Sequence, residues 1–196
     1  MPSDLRMFTR VTYISQGETV SGRNTGVTIA EAAGVATATS AQAHNYQPNQ
    51  RVYFSGATGG NADTYNDARG FVVLTVPSAT TFTFAVPSGT GAGAGTIIAD
   101  MPIDCVGAQL AAVATPAALT SIALTFQGDI DGSGTFVPIK PHTGTAVSWT
   151  VTTSSLYVPA TDGQHFGGIM RLKVVGGTAE GGARKLVLSF ILTNPY

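Results

Sequence analysis

A chain of 196 residues can bury roughly 70% of its extended-chain surface in a core of its own, so it needs neither disulfides nor a metal staple to fold. Charged residues make up only 11% of the composition and the formal net charge is -1. No long-range field is available to hold a polyphosphate, which excludes nucleic acid as an expected partner. The single cysteine, Cys105, excludes an intramolecular disulfide and a cluster of thiolate ligands.

The opening segment Met1–Phe8 carries Asp4 and Arg6 where a secretion signal needs an uninterrupted apolar stretch. The run Leu110–Leu119 is alanine-rich and broken by Thr115 and Pro116, short of the roughly 20 apolar residues that cross a bilayer. A soluble chain with no membrane partner is expected. From Arg6 to Ile14 the sequence RMFTRVTYI places Met7, Thr9, Val11 and Tyr13 on one face and Phe8, Arg10, Thr12 and Ile14 on the other, a strand with both faces at least partly covered.

After Gly17, Gly22 and Gly26, short β-rich runs recur at Val27–Ala30, Gly34–Ser40, Arg51–Ser55, Phe71–Val76, Thr81–Val86 and Gly95–Ile98, separated by Gly, Pro, Asn or Asp. Such spacing suits a small barrel, with Phe82 and Phe84 sharing its inner face. A second set follows at Ser121–Gln127, Thr135–Ile139, Val147–Thr152, Ser155–Val158, Ile169–Val175 and Lys185–Leu192, the pattern of an antiparallel sandwich. The expected fold is therefore all-β with almost no helix. It comprises an N-terminal strand within residues 1–26, a small β-barrel over 27–98 and a β-sandwich over 99–196. The strand at Arg6–Ile14 reads as part of the sandwich, which makes the barrel an insertion; a simple tandem of domains is the alternative.

Residues able to do chemistry are few. Asp129, Asp131 and Ser133, followed by Gly134, place oxygens at the alternate positions used by an EF-hand calcium loop, but Lys140 stands where a bidentate Glu is required. A hairpin turn is the expectation there, with calcium as the weaker reading. The run Gly89–Gly95 (GTGAGAG) lacks the third Gly of a dinucleotide fingerprint and opens no helix, so it reads as a loop. Cys105, preceded by Asp104, reads as a buried small hydrophobe, and His44, His142 and His165 lack ligand spacing. Asp63, Asp67, Asp129, Asp131 and Asp162 fall in turns, and Trp149 reads as core or interface. Neither an enzyme, a cofactor nor a metal is expected.

Two segments carry a resemblance. Ala43-His44, Arg51-Val52-Tyr53-Phe54-Ser55-Gly56, Tyr65-Asn66, Phe71-Val72-Val73, Ser78 through Phe84 and Gly95-Thr96-Ile97 resemble the small β-barrel repeat of many tailed-bacteriophage structural proteins. The pattern departs at Asn49-Gln50, where a Gly-Asp turn is common, and at Asp67, where Gly often follows Tyr-Asn. Pro116 through Ser121, Leu124 through Gln127, Asp131-Gly132, Thr135-Phe136 and Arg171-Leu172-Lys173 are similar to phage virion β-sandwich proteins. The resemblance implies a structural protein of a virus particle, made in the bacterial host cytoplasm and located in the virion. Its implied partners are itself, as a trimer or other homo-oligomer, and the major capsid protein or the tail and portal proteins. A capsid decoration or cement protein is the leading expectation and a tail or head-to-tail component the alternative. Phe8 and Tyr13 are the expected subunit contacts. A glycan-binding module is the reading of another class, with Tyr157 and Tyr196 as its exposed aromatics.

Overall fold

The computed structural model describes residues 6–105, 108–140, 144–158 and 169–192. The fold is all-β, and the chain divides into two compact units, one formed by Met1–Ser21 with Pro102–Tyr196 and the other by Gly22–Met101. Strand β1 (Arg6–Ile14) belongs to the first unit. All nine of its residues pair antiparallel with a strand near the C-terminus, from Arg6 opposite Leu192 to Ile14 opposite Arg184.

The inserted unit is a closed barrel of β2 (Arg23–Ala32), β3 (Val35–Thr39), β4 (Arg51–Thr58), β5 (Phe71–Ser78), β6 (Thr81–Ala85) and β7 (Gly93–Asp100), in the order β2-β3-β6-β5-β4-β7. Alternation sends Phe82 and Phe84 inward while Thr81 and Thr83 stay outside. Phe54 stacks on Phe82 and tilts against Phe84 at 4.9 Å, so the core is largely aromatic. Ala33 (φ 52) and Gly34 (φ 83) form the two-residue turn between β2 and β3, the left-handed pair that matches strand twist. Asn49 takes a left-handed conformation, φ 69, which its short amide side chain tolerates.

The barrel is wider than the expected 27–98. Arg23 and Asn24 pair with Asp100 and Ala99, and the Arg23 guanidinium forks onto Asp100 at 2.9 and 3.0 Å. Met101 N–H then donates to Gly22 O at 2.8 Å. A Cβ on Gly22 would lie 2.0 Å from the Met101 carbonyl oxygen, and its φ is +71, so only glycine fits where the barrel's two ends meet. A 3-10 turn at Gly59–Asn61 leads into a short helix, α1 (Ala62–Tyr65), which drops Tyr65 into the core, where its hydroxyl donates to Gly91 O.

The first unit is a sandwich of two antiparallel sheets. The strands are β8 (Ile103–Asp104), β9 (Ala108–Ala114), β10 (Ala123–Asp129), β11 (Val137–Pro138), β12 (Ser148–Thr150), β13 (Leu156–Tyr157), β14 (Arg171–Gly176) and β15 (Arg184–Leu192). One sheet runs β1-β15-β9-β13; the other runs β11-β10-β14-β8, with β12 also lying along β10. Leu110, Val113, Leu186, Leu188 and Phe190 of the first sheet meet Leu124, Phe126, Leu172 and Val174 of the second in one buried cluster. Several elements depart from the sequence reading: the expected strands Val147–Thr152 and Ser155–Val158 shorten to β12 and β13. Strand β9 lies in the alanine-rich run read only as a broken apolar stretch, and the expected strand Thr135–Ile139 shrinks to β11.

Candidate assembly surface

Register decides which side chains of the first sheet face away from the core. Phe8, Thr12 and Ile14 lie on the side of Leu186, Leu188 and Phe190. Met7 opposite Ile191, Thr9 opposite Ser189, Val11 opposite Val187 and Tyr13 opposite Lys185 therefore point outward. The rows continue across β9 with Gln109 and Ala114, and Leu156 of β13 lies opposite Ala114. Val11, Val187, Ala114 and Leu156 thus form an apolar row spanning all four strands. Met7 is 65% exposed, Val11 45% and Leu156 67%, and on this face of the described strands Lys185 alone carries charge. Scattered apolar residues on a surface are ordinary; a contiguous, nearly charge-free row is a candidate contact surface.

The outer face of the second sheet is built differently. Asp129 and Arg171 sit opposite each other in register and are both buried. The Arg171 Nε–H donates to Asp129 Oδ2 at 2.8 Å, and its Nη2 donates to the same oxygen. Asp129 Oδ1 accepts the Gly132 N–H at 2.9 Å and Oδ2 the Gly134 N–H at 3.1 Å. Asp131 accepts the Ser133 N–H at 3.0 Å. The oxygens singled out for calcium are therefore turned onto N–H donors and a guanidinium, the arrangement of a self-bonded loop. That loop carries Phe136 over the ammonium of Lys173, 4.0 Å from ring centroid to Nζ, so a lysine on the sheet surface is 96% buried by its own chain.

The remaining predicted residues separate by location. Phe8 does not present its ring outward: it stacks on Phe190 at 5.3 Å and packs against the core, with the Arg10 guanidinium 4.9 Å from its ring centroid. Tyr13 is on the outward face. Tyr157 packs partly on the core, and its hydroxyl lies 3.0 Å from Thr152 Oγ1 and accepts the Thr152 N–H at 2.5 Å. Those bonds hold the pKa of its hydroxyl below the ordinary phenol value. Tyr196, His142 and His165 lie outside the described residues. Trp149 meets Phe126 edge to face at 4.7 Å, inside the sandwich.

Burial, reinforced by Asp104, pushes the Cys105 thiol up to about 12, and its Sγ contacts the Ile169 carbonyl at 3.4 Å. A thiol in that environment is inert as a nucleophile. His44 is buried in the barrel beside Tyr46 and Phe82, and its Nδ1 accepts the Tyr46 N–H at 2.9 Å. The glycine loop is tethered as well. Glu31 accepts N–H bonds from Gly34 at 2.7 Å and Gly91 at 3.1 Å, which draw its carboxyl below the ordinary range.

Sequence reasoning passed over Arg23, Asp100 and Glu180. The Glu180 carboxylate is buried and accepts the Thr120 and Ser121 N–H groups at 2.8 and 3.1 Å while pairing with Arg184. Its only local signal is the Glu-to-Arg spacing of four residues, which carries little weight outside a helix. Comparison of the chain with family models, with curated proteins and with solved structures finds no match.

Proposed function

We propose that this chain is a structural subunit of a bacteriophage particle, acting as a decoration or cement protein on the outer surface of the head. The observation that carries the reading is the outward face of β1, β15, β9 and β13, whose apolar row crosses all four strands and whose one charge, among the described strand residues, is Lys185 opposite Tyr13. The resemblance of Ala36–Ile98 and of Pro116–Asn194 to virion β proteins supports the same reading. So does the disposition of the buried charges. Asp129 with Arg171, Asp100 with Arg23 and Glu180 with Arg184 are neutralised within the chain, which suits scaffolding rather than turnover of a substrate. A low-charge surface fits shape-complementary packing, in which weak contacts repeated by symmetry give high avidity.

The test is the copy number of the chain in purified particles of the virus that encodes it, by quantitative mass spectrometry against the major shell protein. Hundreds of copies per particle are expected for a head-lattice component. A dozen or so would move the chain to the tail or its junction with the head. Absence from the particle would overturn the structural reading and turn attention to glycan binding.

A further inference from the structure

Residues 40–50 join β3 to β4 without forming a strand. Main-chain bonds fasten this connection at both ends. Ser40 N–H donates to Thr80 O at 2.9 Å and His44 N–H to Ala79 O at 3.0 Å; Asn49 N–H donates to Val73 O and Val73 N–H to Gln50 O, both at 2.8 Å. Between these ties the connection sends His44 and Tyr46, each 2% exposed, against Phe82 of the barrel core. Tyr46 reaches further. Its hydroxyl lies 2.9 Å from Gly22 O and 3.1 Å from Ala99 O and accepts the Asn24 amide N–H at 2.9 Å, where β2 begins and β7 ends. Asn24 is buried, and its Oδ1 has no hydrogen-bond partner among the described residues. The bond to Tyr46 is therefore what satisfies that side chain.

Hydrogen bonding fixes the proton on His44. Nδ1 accepts the Tyr46 N–H at 2.9 Å, so in the neutral ring the proton sits on Nε2. Nε2 is buried without a hydrogen-bond partner among the described residues. Facing the ring are the Tyr46 phenol of its own connection at 4.9 Å between centroids, Phe82 of β6 at 5.1 Å, and the backbone of Ser78, Ala79 and Thr81. None of these groups carries a negative charge to compensate a cationic ring. A proton taken from solvent can enter only at Nδ1, where it sets one N–H against the N–H of Tyr46. We propose that residues 40–50 are an acid-released latch on the barrel. Protonation of His44 at Nδ1 breaks the bond from Tyr46 N–H and draws the Tyr46 hydroxyl away from Gly22 and Ala99. The barrel then opens along this connection and where its two ends meet, before it unfolds as a whole. Asn24, left with neither end of its amide partnered, favours the opened ends. Burial opposes charge on the ring and outweighs the Thr81 and Ser78 backbone contacts that favour it. The latch is thus closed above the ordinary histidine value of 6.5 and loosens as the pH falls below it.

The experiment is amide hydrogen exchange by NMR on the whole chain at pH 7.5 and 5.5, each rate divided by its unstructured-chain value, with the imidazole nitrogen spectrum recorded on the same samples. At pH 7.5 His44 should appear as the Nε2–H tautomer. At pH 5.5 the Tyr46 amide, and the Met101 amide that donates to Gly22 O, should lose protection several-fold. The ceiling is about tenfold, the proton-binding ratio one pH unit below 6.5. The amides of β3 and β6 should keep their protection. His44→Gln, which offers an acceptor but takes no proton, should remove the pH dependence at both amides. Tyr46→Phe keeps the ring without the hydroxyl and should deprotect Met101 at both pH values while the strands stay protected. An Nδ1–H tautomer at pH 7.5, protection unchanged at pH 5.5, or a loss spread evenly over the barrel strands overturns the proposal. So does a Met101 amide indifferent to Tyr46→Phe. The tautomer and the two exchange profiles come from the unmodified chain, so they decide the matter even if His44→Gln fails to fold.

Discussion

The two outer faces of the sandwich solve the same problem in opposite ways. On the second sheet, Asp129, Arg171 and Lys173 would be awkward to leave on a flat surface, and the chain folds its own loop over them, with N–H groups on the carboxylate and Phe136 on the ammonium. On the first sheet, Met7, Val11 and Leu156 are exposed, and β1 ends the sheet among the described residues. One face is covered by its own chain; the other keeps apolar side chains exposed. That contrast is the basis for the proposed assembly surface.

The strongest way to break that contrast is to open the capped face. Asp129→Ala leaves the Arg171 guanidinium buried without its carboxylate and frees the Gly132 and Gly134 N–H groups. A loss of about 3–5 kcal/mol is expected in urea-unfolding measurements. Phe136→Ala removes the ring that lies over Lys173 and Arg171 but leaves the ion pair in place, and the cost should fall to about 0.5–2 kcal/mol by the same assay.

Acid should separate the units rather than the faces. Burial holds His44 below its ordinary value of 6.5, against the smaller opposing effect of the Thr81 and Ser78 carbonyls. The unfolded chain therefore binds a proton that the folded barrel resists. The stability that neutral His44 contributes is complete above pH 6.5 and is lost as pH falls toward its depressed folded value. Thermal unfolding followed from pH 7.5 to 5.5 should show the barrel weakening on acidification, and His44→Phe should flatten that slope. A slope unchanged in the variant would place the acid sensitivity elsewhere.

The smallest effect on folding is expected on the bare face. Leu156→Ser should change stability by no more than about 0.5 kcal/mol while reducing self-association in sedimentation velocity. If it cost as much as Asp129→Ala, the bare face would be part of the monomer's own core and the contrast between the sheets would collapse.

Much of this architecture is legible in local pattern. Period-two alternation marks Phe82 and Phe84 as barrel core, and Arg6–Ile14 as a strand, because inward positions reject polar side chains wherever a sheet has a buried face. Strand β9 escaped the same reading. Its sequence AQLAAVA is rich in alanine, which has little β preference of its own, and it is a strand because β15 and β13 pair with it on its two sides. The barrel's true ends were hidden for a related reason. Arg23 and Asp100 are 77 residues apart, a separation at which no spacing rule operates.

For the assembly surface, the alternation of β1 divides its residues into two sets and says nothing about which set faces the core. Phe8 and Tyr13, both aromatic, looked equally suited to a contact, yet Phe8 packs on Phe190 and Tyr13 points away. Composition and periodicity alone thus determine an all-β chain with little charge to spare, because they reflect local conformational preference and the solvation of each side chain. Which face is capped and which left bare, that Asp129 meets Arg171 from 42 residues away, and that β1 ends a sheet were decided by tertiary structure. Those outcomes depend on long-range strand pairing, and register is settled only when the two sheets close on a common core.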